Sequence, residues 1–286
     1  MEHPPLAQQL DRYRSRFVGP HLDLVLASMA IGNTAGQLWE ILEEDVSPLL
    51  LLWDQGNNVL YLAGDAHPQS ALSALTSVVD QRLRPQALAA GASRLKVRAL
   101  TPWLEEALPR IFPGIPLHAS PALFSVHEAG SRLPIALPAV PGMSLVPITS
   151  DTLRRDSYAY MDQVRDEIRG MWPSEDRFYQ HGFGALAVLD DEIICWCTAE
   201  YVGPTHCGIG IATSPRYEGR GVATATAAQF VQQARERGVT PCWECALANH
   251  ASVRVAEKVG FLGWGREDAA RFTTPLTPCF MASSRP

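Results

Sequence analysis

The chain has 286 residues, with 24 Lys and Arg against 30 Asp and Glu, a formal net charge of −6, and 47% hydrophobic against 19% charged residues. That composition suits one large or two modest folded domains and excludes an intrinsically disordered chain. The charge divides evenly, 10 basic and 13 acidic residues up to Gly142 and 14 and 17 after it, so neither half carries the basic face of a nucleic-acid binder.

From the amino terminus, MEHPPLAQQLDRYRSRF mixes acids, prolines and arginines without an apolar core, so no secretory signal is read there and a cytoplasmic location is expected. The apolar run Pro48 to Trp53 falls far short of the roughly twenty residues of a membrane helix, and no span is expected. Instead Pro48 to Trp53 and Val59 to Ala63 read as strands joined by a turn over residues 54–58, followed by an amphipathic helix from Pro68 to Arg82. Leu95 to Leu100 reads as another strand, and Thr101 and Pro102 open a helix that Pro113 and Gly114 end. Pro134, Pro138 and Pro141 interrupt both periodicities, which predicts a linker at residues 131–142 between a domain at 1–130 and a second at 143–286.

Beyond that linker the predicted order is strand, helices, three strands, helix, strand, helix, strand. Met143 to Val146 opens it, Asp151 to Arg169 and Ser174 to Gln180 read as helical, and Phe183 to Leu189 pairs with Glu192 to Tyr201 across Asp190 and Asp191. Cys207 to Thr213 is a strand, and a helix from near Gly221 stops at Gly238. Trp243 to Ala246, Ala251 to Val259 and the chain from Phe261 read as strand, helix and strand. The fold class is therefore mixed α/β. Cys195 and Cys197 with Cys242 and Cys245 have the count of a four-thiolate metal site, but both pairs sit in buried-strand patterns where Cys acts as a small hydrophobe, so no metal is expected.

The chemistry concentrates in Arg216-Tyr217-Glu218-Gly219-Arg220-Gly221-Val222-Ala223, between a strand and a helix. A turn at a helix start aims unpaired N–H groups and the positive end of the helix dipole at one point, and glycines let a phosphate approach the backbone. No Gly-Lys-Ser/Thr follows, so this is not a P-loop, and the three glycines of a dinucleotide fingerprint are missing.

With Arg216, Gly219 and Gly221 in place, the stretch resembles the Gln/Arg-x-x-Gly-x-Gly/Ala signature of the GNAT superfamily of N-acetyltransferases. Asn249-His250-Ala251-Ser252 through Lys258-Val259-Gly260-Phe261 is similar to that family's later Asn-led helix. The resemblance covers roughly residues 143 to 275. It implies a mixed sheet flanked by helices, with acetyl-CoA as cosubstrate in a gap between splayed strands. Ile211, Ala212 and Thr213 would pair with the pantetheine arm. Glu218, Gly219, Arg220, Gly221, Val222 and Ala223 would hold the pyrophosphate beside Arg216, and Asn249 would contact the pantetheine or cap its own helix. The acceptor would be a small-molecule or peptide amine, with no nucleic acid and no membrane as partner. The amino-terminal domain resembles a degenerate copy of the same fold, and its expected roles are to cover the acceptor pocket or to form a homodimer contact.

The sequence departs from the family's catalytic pattern. The position of the usual strand glutamate is Gly208, with Gly210 two residues on, and the usual helix tyrosine is Ala256. Glu200 and Glu244 are the substitute bases, since a carboxylate among buried neighbours gains basicity, and each has a plain structural reading as well. Ser252 is the remaining candidate for the leaving thiol, or a surface serine. Asp166, Glu167 and Trp172 could hold a cation, or form a solvated helix face with one core aromatic. A lapsed acyl-CoA-binding module, and a purely structural two-domain protein, stand as rival readings.

Overall fold

A computed structural model describes residues 4–43, 46–66, 68–128, 130, 131, 133, 140–266 and 270–276. In chain order, α1 (Leu6–Arg12) and α2 (Pro20–Ala30) precede β1 (Gly36–Ile41), β2 (Leu49–Asp54) and β3 (Val59–Ala63). Helix α3 (Gln69–Val78) runs through a π turn into α4 (Arg84–Ala89), then β4 (Arg94–Ala99), α5 (Pro102–Ile111), β5 (His118–Ala119) and β6 (Ala122–Val126) follow. Next come β7 (Ser144–Pro147), α6 (Ser150–Leu153), α7 (Met161–Met171), α8 (Glu175–His181), β8 (Gly184–Leu189) and β9 (Glu192–Glu200). The chain continues with β10 (His206–Thr213), α9 (Val222–Glu236), β11 (Thr240–Ala246), α10 (His250–Lys258), β12 (Gly265–Arg266) and β13 (Ala270–Pro275). The expected mixed α/β class is what forms.

Two compact units result, one built on α1, β1 to β5, α3 to α5 and β13, the other on α2, β6 to β12 and α6 to α10. This division differs from the expected cut at residues 131–142, of which 132 and 134–139 lie outside the described residues. Strand β6, ahead of the cut, pairs antiparallel with β11 in the second sheet, and β13, after it, pairs antiparallel with β4 in the first. The physical reason is edge pairing: each incoming strand satisfies backbone groups that a sheet ending at β4 or β11 would leave open. Hence the final strand expected from Phe261 is divided. Phe261 makes one bridge to His127, β12 extends the second sheet, and β13 joins the first.

In the first unit the strand order is β1-β2-β3-β4-β13-β5, with β3 and β4 parallel. Strands β2 and β3 are buried at every position, which is why their sequence reads as unbroken apolar runs. Leu72, Leu75, Leu104 and Leu108 from α3 and α5 pack on Leu49, Leu51, Leu60 and Leu62. Thr101 caps α5 by accepting the Leu104 N–H, as its position predicts.

The second sheet runs β7-β8-β9-β10-β11-β6-β12, with β10 and β11 parallel. It repeats the topology of the first, an antiparallel run, one parallel step across a helix, then an antiparallel strand from the other half of the sequence. Phe183 stacks on Phe230 on one side of its core, and Trp243 packs against Phe261 on another. The hairpin at Asp190 and Asp191 forms, both residues taking positive φ as a tight two-residue turn requires. The helix expected over Asp151 to Arg169 is broken into α6 and α7. Ala159 is pinned between them by its N–H to the Asp191 carbonyl and its carbonyl to the Ile193 N–H, and Arg165 occupies the Leu153 carbonyl that the next helical turn would need.

Candidate active site

The site starts from how β10 is paired. Along its β9 edge, Gly208 to Thr213 face Glu200 to Cys195 in unbroken antiparallel register. Along its β11 edge only His206, Cys207 and Gly208 are paired, opposite Thr240, Pro241 and Cys242. From Ile209 the two strands part, while along its opposite edge β11 pairs with β6 from Cys242 to Ala246. Ile211, Ala212 and Thr213, the expected cleft residues, lie on the parted stretch and are half-buried. The first unit supplies a contrast. There β3 and β4 pair from Val59 to Leu62, Leu100 N–H extends the ladder to the Leu62 carbonyl, and Thr101 Oγ1 donates to the Gly64 carbonyl. The equivalent opening is closed by the chain itself.

At the end of β10 a single 3₁₀ turn, Pro215–Tyr217, leads to α9. Gly219 and Gly221 take φ of +71° and +82°, the left-handed region that glycine adopts without strain, and a Cβ at Gly219 would meet nothing within 4 Å. Helices α5, α6, α8 and α10 each begin with a side chain that accepts a backbone N–H. Helix α9, at 15 residues the longest among the described residues, has none, and neither do α1, α3, α4 and α7. Its first internal bond is from Ala225 N–H to the Gly221 carbonyl, and among the described residues no protein acceptor takes the N–H groups of Gly219 through Thr224. Orphan amides of this kind call for an external acceptor, and the helix dipole favours an anionic one. The guanidinium groups of Arg216 and Arg220 both lie over the buried Tyr217 ring, at 5.6 and 5.7 Å from its centroid, and Glu218 is exposed. Two cations are thus carried beside the turn.

The candidate acid and base residues fall on one face of the sheet. Thr198 is registered with Gly210, Glu200 with Gly208, and Gly208 with Cys242, two residues before Glu244. Side chains of paired and alternate residues share a face, so Glu200 and Glu244 flank β10 on the side where its glycines present no side chain. The Glu200 carboxylate leans over Gly210: a Cβ there would collide with its Oε1 and lie 3.1 Å from Thr198 Oγ1. Glu244 Oε2 is 2.6 Å from Nδ1 of His21, a buried side chain on α2 whose ring sits edge-on to Phe124 and Tyr201. Neither His21 nor Thr198 stands out in the sequence, because a lone histidine in an apolar helix and a threonine in a strand have ordinary packing roles.

Other candidates are already engaged. Asn249 caps α10, its Oδ1 accepting the Ser252 N–H at 3.1 Å. Ser252 Oγ accepts the Trp243 indole N–H at 2.9 Å and also hydrogen-bonds the Cys245 thiol, and this bond lowers a Cys245 pKa that burial raises. Asp166 pairs with Arg169 on an exposed helix face, and Trp172 is core, donating to the Ala199 carbonyl. Burial pushes the thiols of Cys195, Cys197, Cys207 and Cys242 upward, the last to about 12. Among the described residues no group of three His, Cys, Asp or Glu is placed to hold a metal ion, and no helix is long and apolar enough to cross a membrane.

A mixed sheet whose parallel pair parts beside an uncapped helix start offers an open strand edge and an anion-attracting turn at one place. Residues 140–263, within the second unit, match the family model described as GNAT acetyltransferase. The curated Bacillus subtilis (strain 168) protein called uncharacterized N-acetyltransferase YdfB is 29% identical over 140 residues, 49% of this chain. The chain spans about half the length of that relative, 51%. A crystal structure of a GCN5-related N-acetyltransferase-like protein from Streptococcus suis 89/1591 superposes with a TM-score of 0.65 at 16% identity, covering 94% of this chain and 99% of that one. A tandem GNAT protein from the clavulanic acid biosynthesis pathway gives 0.52 at 17% identity, over 96% and 98%. These likenesses extend across both units, in keeping with two GNAT-like domains in one chain.

Proposed function

We propose that the protein transfers an acetyl group from acetyl-CoA to a primary amine on a small molecule or peptide. One observation carries the reading: β10 parts from β11 after three residue pairs, and the unbonded amides of Gly219 through Ala223 lie at the end of the freed strand. Those amides would hold the pyrophosphate, with Arg216 and Arg220 adding positive charge and Glu218 contributing its backbone. Ile211, Ala212 and Thr213 would meet the pantetheine arm as an added strand pairs with an edge, while Asn249 keeps its amide NH₂ for a polar contact.

Acetyl-CoA supplies the activated acyl carbon. The chain's own residues orient the amine and take its proton, and Glu200 and Glu244 are the groups in position to do so. Ser252 stands nearby but spends its hydroxyl on Trp243 and Cys245, so its part is to brace β11 against α10. Buried, unpaired cysteines fit a reducing cytoplasm. The test is thiol release from acetyl-CoA with a panel of primary amines, beside calorimetric titration with CoA. Turnover with at least one amine supports the proposal. Binding without turnover makes the protein a lapsed acyl-CoA-binding module, and no binding refutes both readings.

A further inference from the structure

Helix α2 is fastened to the second sheet near both ends. At its start, His21 Nδ1 lies 2.6 Å from Glu244 Oε2. Just past its end, the buried Asn33 donates through Nδ2 to the Val202 carbonyl and accepts from Arg177 Nε, both at 2.7 Å, and Ser28 and Thr34 share a 2.7 Å bond. Beside the helix a hollow of about 290 Å³ remains. Leu24 and Ala27 of α2, Phe124 and Val126 of β6 and Cys242 of β11 give it apolar walls. A turn closes it: Gly203 N–H bonds the His206 carbonyl at 2.8 Å, and a Cβ on Gly203 would lie 3.2 Å from the Ala27 Cβ. Asp23, Thr205 and His206 supply its polar side chains, and the first two are exposed. Cys242 is registered with Gly208, Gly208 with Glu200, and Phe124 with Glu244, so the hollow adjoins both carboxylates on one face of the sheet. Phe124 belongs to both places, since its ring also sits edge-on to His21.

We propose that this hollow is the acceptor subsite and that it takes a primary amine carrying one compact apolar group, a branched alkyl chain or a single ring, with the amine end toward Glu200 and Glu244. The inference rests on the amine-acetylation reading and deepens it by naming the substrate class. A preformed, mostly apolar concavity with a few polar groups is the form of a small-molecule site, and 290 Å³ stands at the lower end of the usual range of about 300–1,000 Å³. An amino sugar or a polyamine would bring hydroxyl or ammonium groups against Leu24, Phe124 and Val126, whose side chains offer no hydrogen bond in place of water. Helix α2 and strand β6 both precede residues 140–263, so much of the wall that selects the acceptor comes from outside the stretch that matches the family model. The helices after β7 do not take this part with the residues expected of them: Asp166 pairs with Arg169, and Trp172 is core. The anchors at His21 and Asn33 hold α2 in place, so the hollow exists before any acceptor arrives.

The experiment uses full-length wild type, Val126→Trp and Val126→Ala. Val126 is 39% exposed, so both changes alter the wall without emptying the core. Acetyl transfer to methylamine, isobutylamine, 2-phenylethylamine, spermidine and a lysine tripeptide is measured at saturating acetyl-CoA, beside calorimetric affinity for CoA. In wild type, kcat/KM for the better of isobutylamine and 2-phenylethylamine is expected to exceed that for methylamine and spermidine at least tenfold, since one methylene in an apolar pocket is worth about 10–200-fold. Val126→Trp is expected to raise KM for that amine at least tenfold with CoA affinity within twofold of wild type. Val126→Ala is expected to move the ranking toward 2-phenylethylamine. The inference is overturned if wild type ranks methylamine, spermidine or the tripeptide level with or above the apolar amines. It is equally overturned if Val126→Trp keeps the wild-type KM. Should Val126→Trp weaken CoA binding too, the Val126→Ala ranking decides, and an unchanged ranking overturns the inference. A protein that binds CoA and acetylates amines without these preferences sinks this inference alone; one that binds no CoA overturns the parent reading with it.

Discussion

His21 on α2 places its Nδ1 2.6 Å from Oε2 of Glu244 on β11, joining residues 223 positions apart in the sequence. The pair ties the helix that covers one face of the second sheet to the strand that borders its cleft. Glu244 is about a quarter exposed, so solvent screens part of the interaction. His21→Ala also removes a ring packed against Phe124 and Tyr201. It is expected to cost about 2–3 kcal/mol, and Glu244→Gln, which keeps an acceptor oxygen, about 1 kcal/mol. Urea denaturation gives both numbers, and a His21→Ala protein as stable as wild type contradicts the pairing.

Gly221→Asp places a carboxylate at the start of α9, where the proposed pyrophosphate would lie, on a residue whose φ of +82° disfavours any side chain by about 1–2 kcal/mol. CoA affinity should fall at least tenfold. Gly219→Ala, with open space around its Cβ, should show the backbone strain and a smaller loss of affinity. Titration calorimetry separates the two, and equal affinities for wild type and Gly221→Asp would exclude the turn as the phosphate site.

His127 is 5% exposed, its Nε2 lies 3.0 Å from the Val259 carbonyl and its ring packs on Phe261. Burial is the largest influence and lowers its pKa below the usual 6.5, while the Val259 bond works the other way. With the folded value depressed, the unfolded state takes up the proton first as pH falls. The stabilisation from this site is therefore complete above about pH 6.5 and declines as the pH drops toward the folded value. Thermal melts of wild type and His127→Gln should converge as pH is lowered from 7.5 to 5.5, and a constant difference across that range would count against a buried neutral imidazole.

The buried thiols lead to a labelling experiment. With their pKa values raised, Cys195, Cys197, Cys207 and Cys242 are protonated and shielded in the native protein. Native protein should modify at these four positions at least 100-fold more slowly with a thiol reagent than unfolded protein, as peptide mapping of the labelled sites would record. Rapid native labelling of Cys195 or Cys197 would mean that β9 opens readily.

Local signals were legible and long-range ones were not. The turn from Arg216 to Ala223, the hairpin at Asp190 and Asp191, and the Thr101 cap are each decided within a few residues, and the chain writes them plainly. Leu123 to Val126, Leu-Phe-Ser-Val, lacks the alternation of a strand and does not read as one, and nothing local says that it joins β11 across more than a hundred residues. Thr198 and Glu200 lie in an ordinary strand pattern, and their meaning depends on two glycines in the neighbouring strand. The helix over Asp151 to Arg169 misled for the same reason: Ala159 is held by β9, a partner that helical periodicity does not register.

The crossed allocation of β6 and β13 has a consequence for biosynthesis. While residues 1–130 emerge from the ribosome, β4 has no neighbour on its far side, and that exposed backbone waits until residues 270–275 have been made. Expression of either half by itself would leave an unmated ribbon, so truncated versions are expected to precipitate or to scavenge the missing strand from another copy.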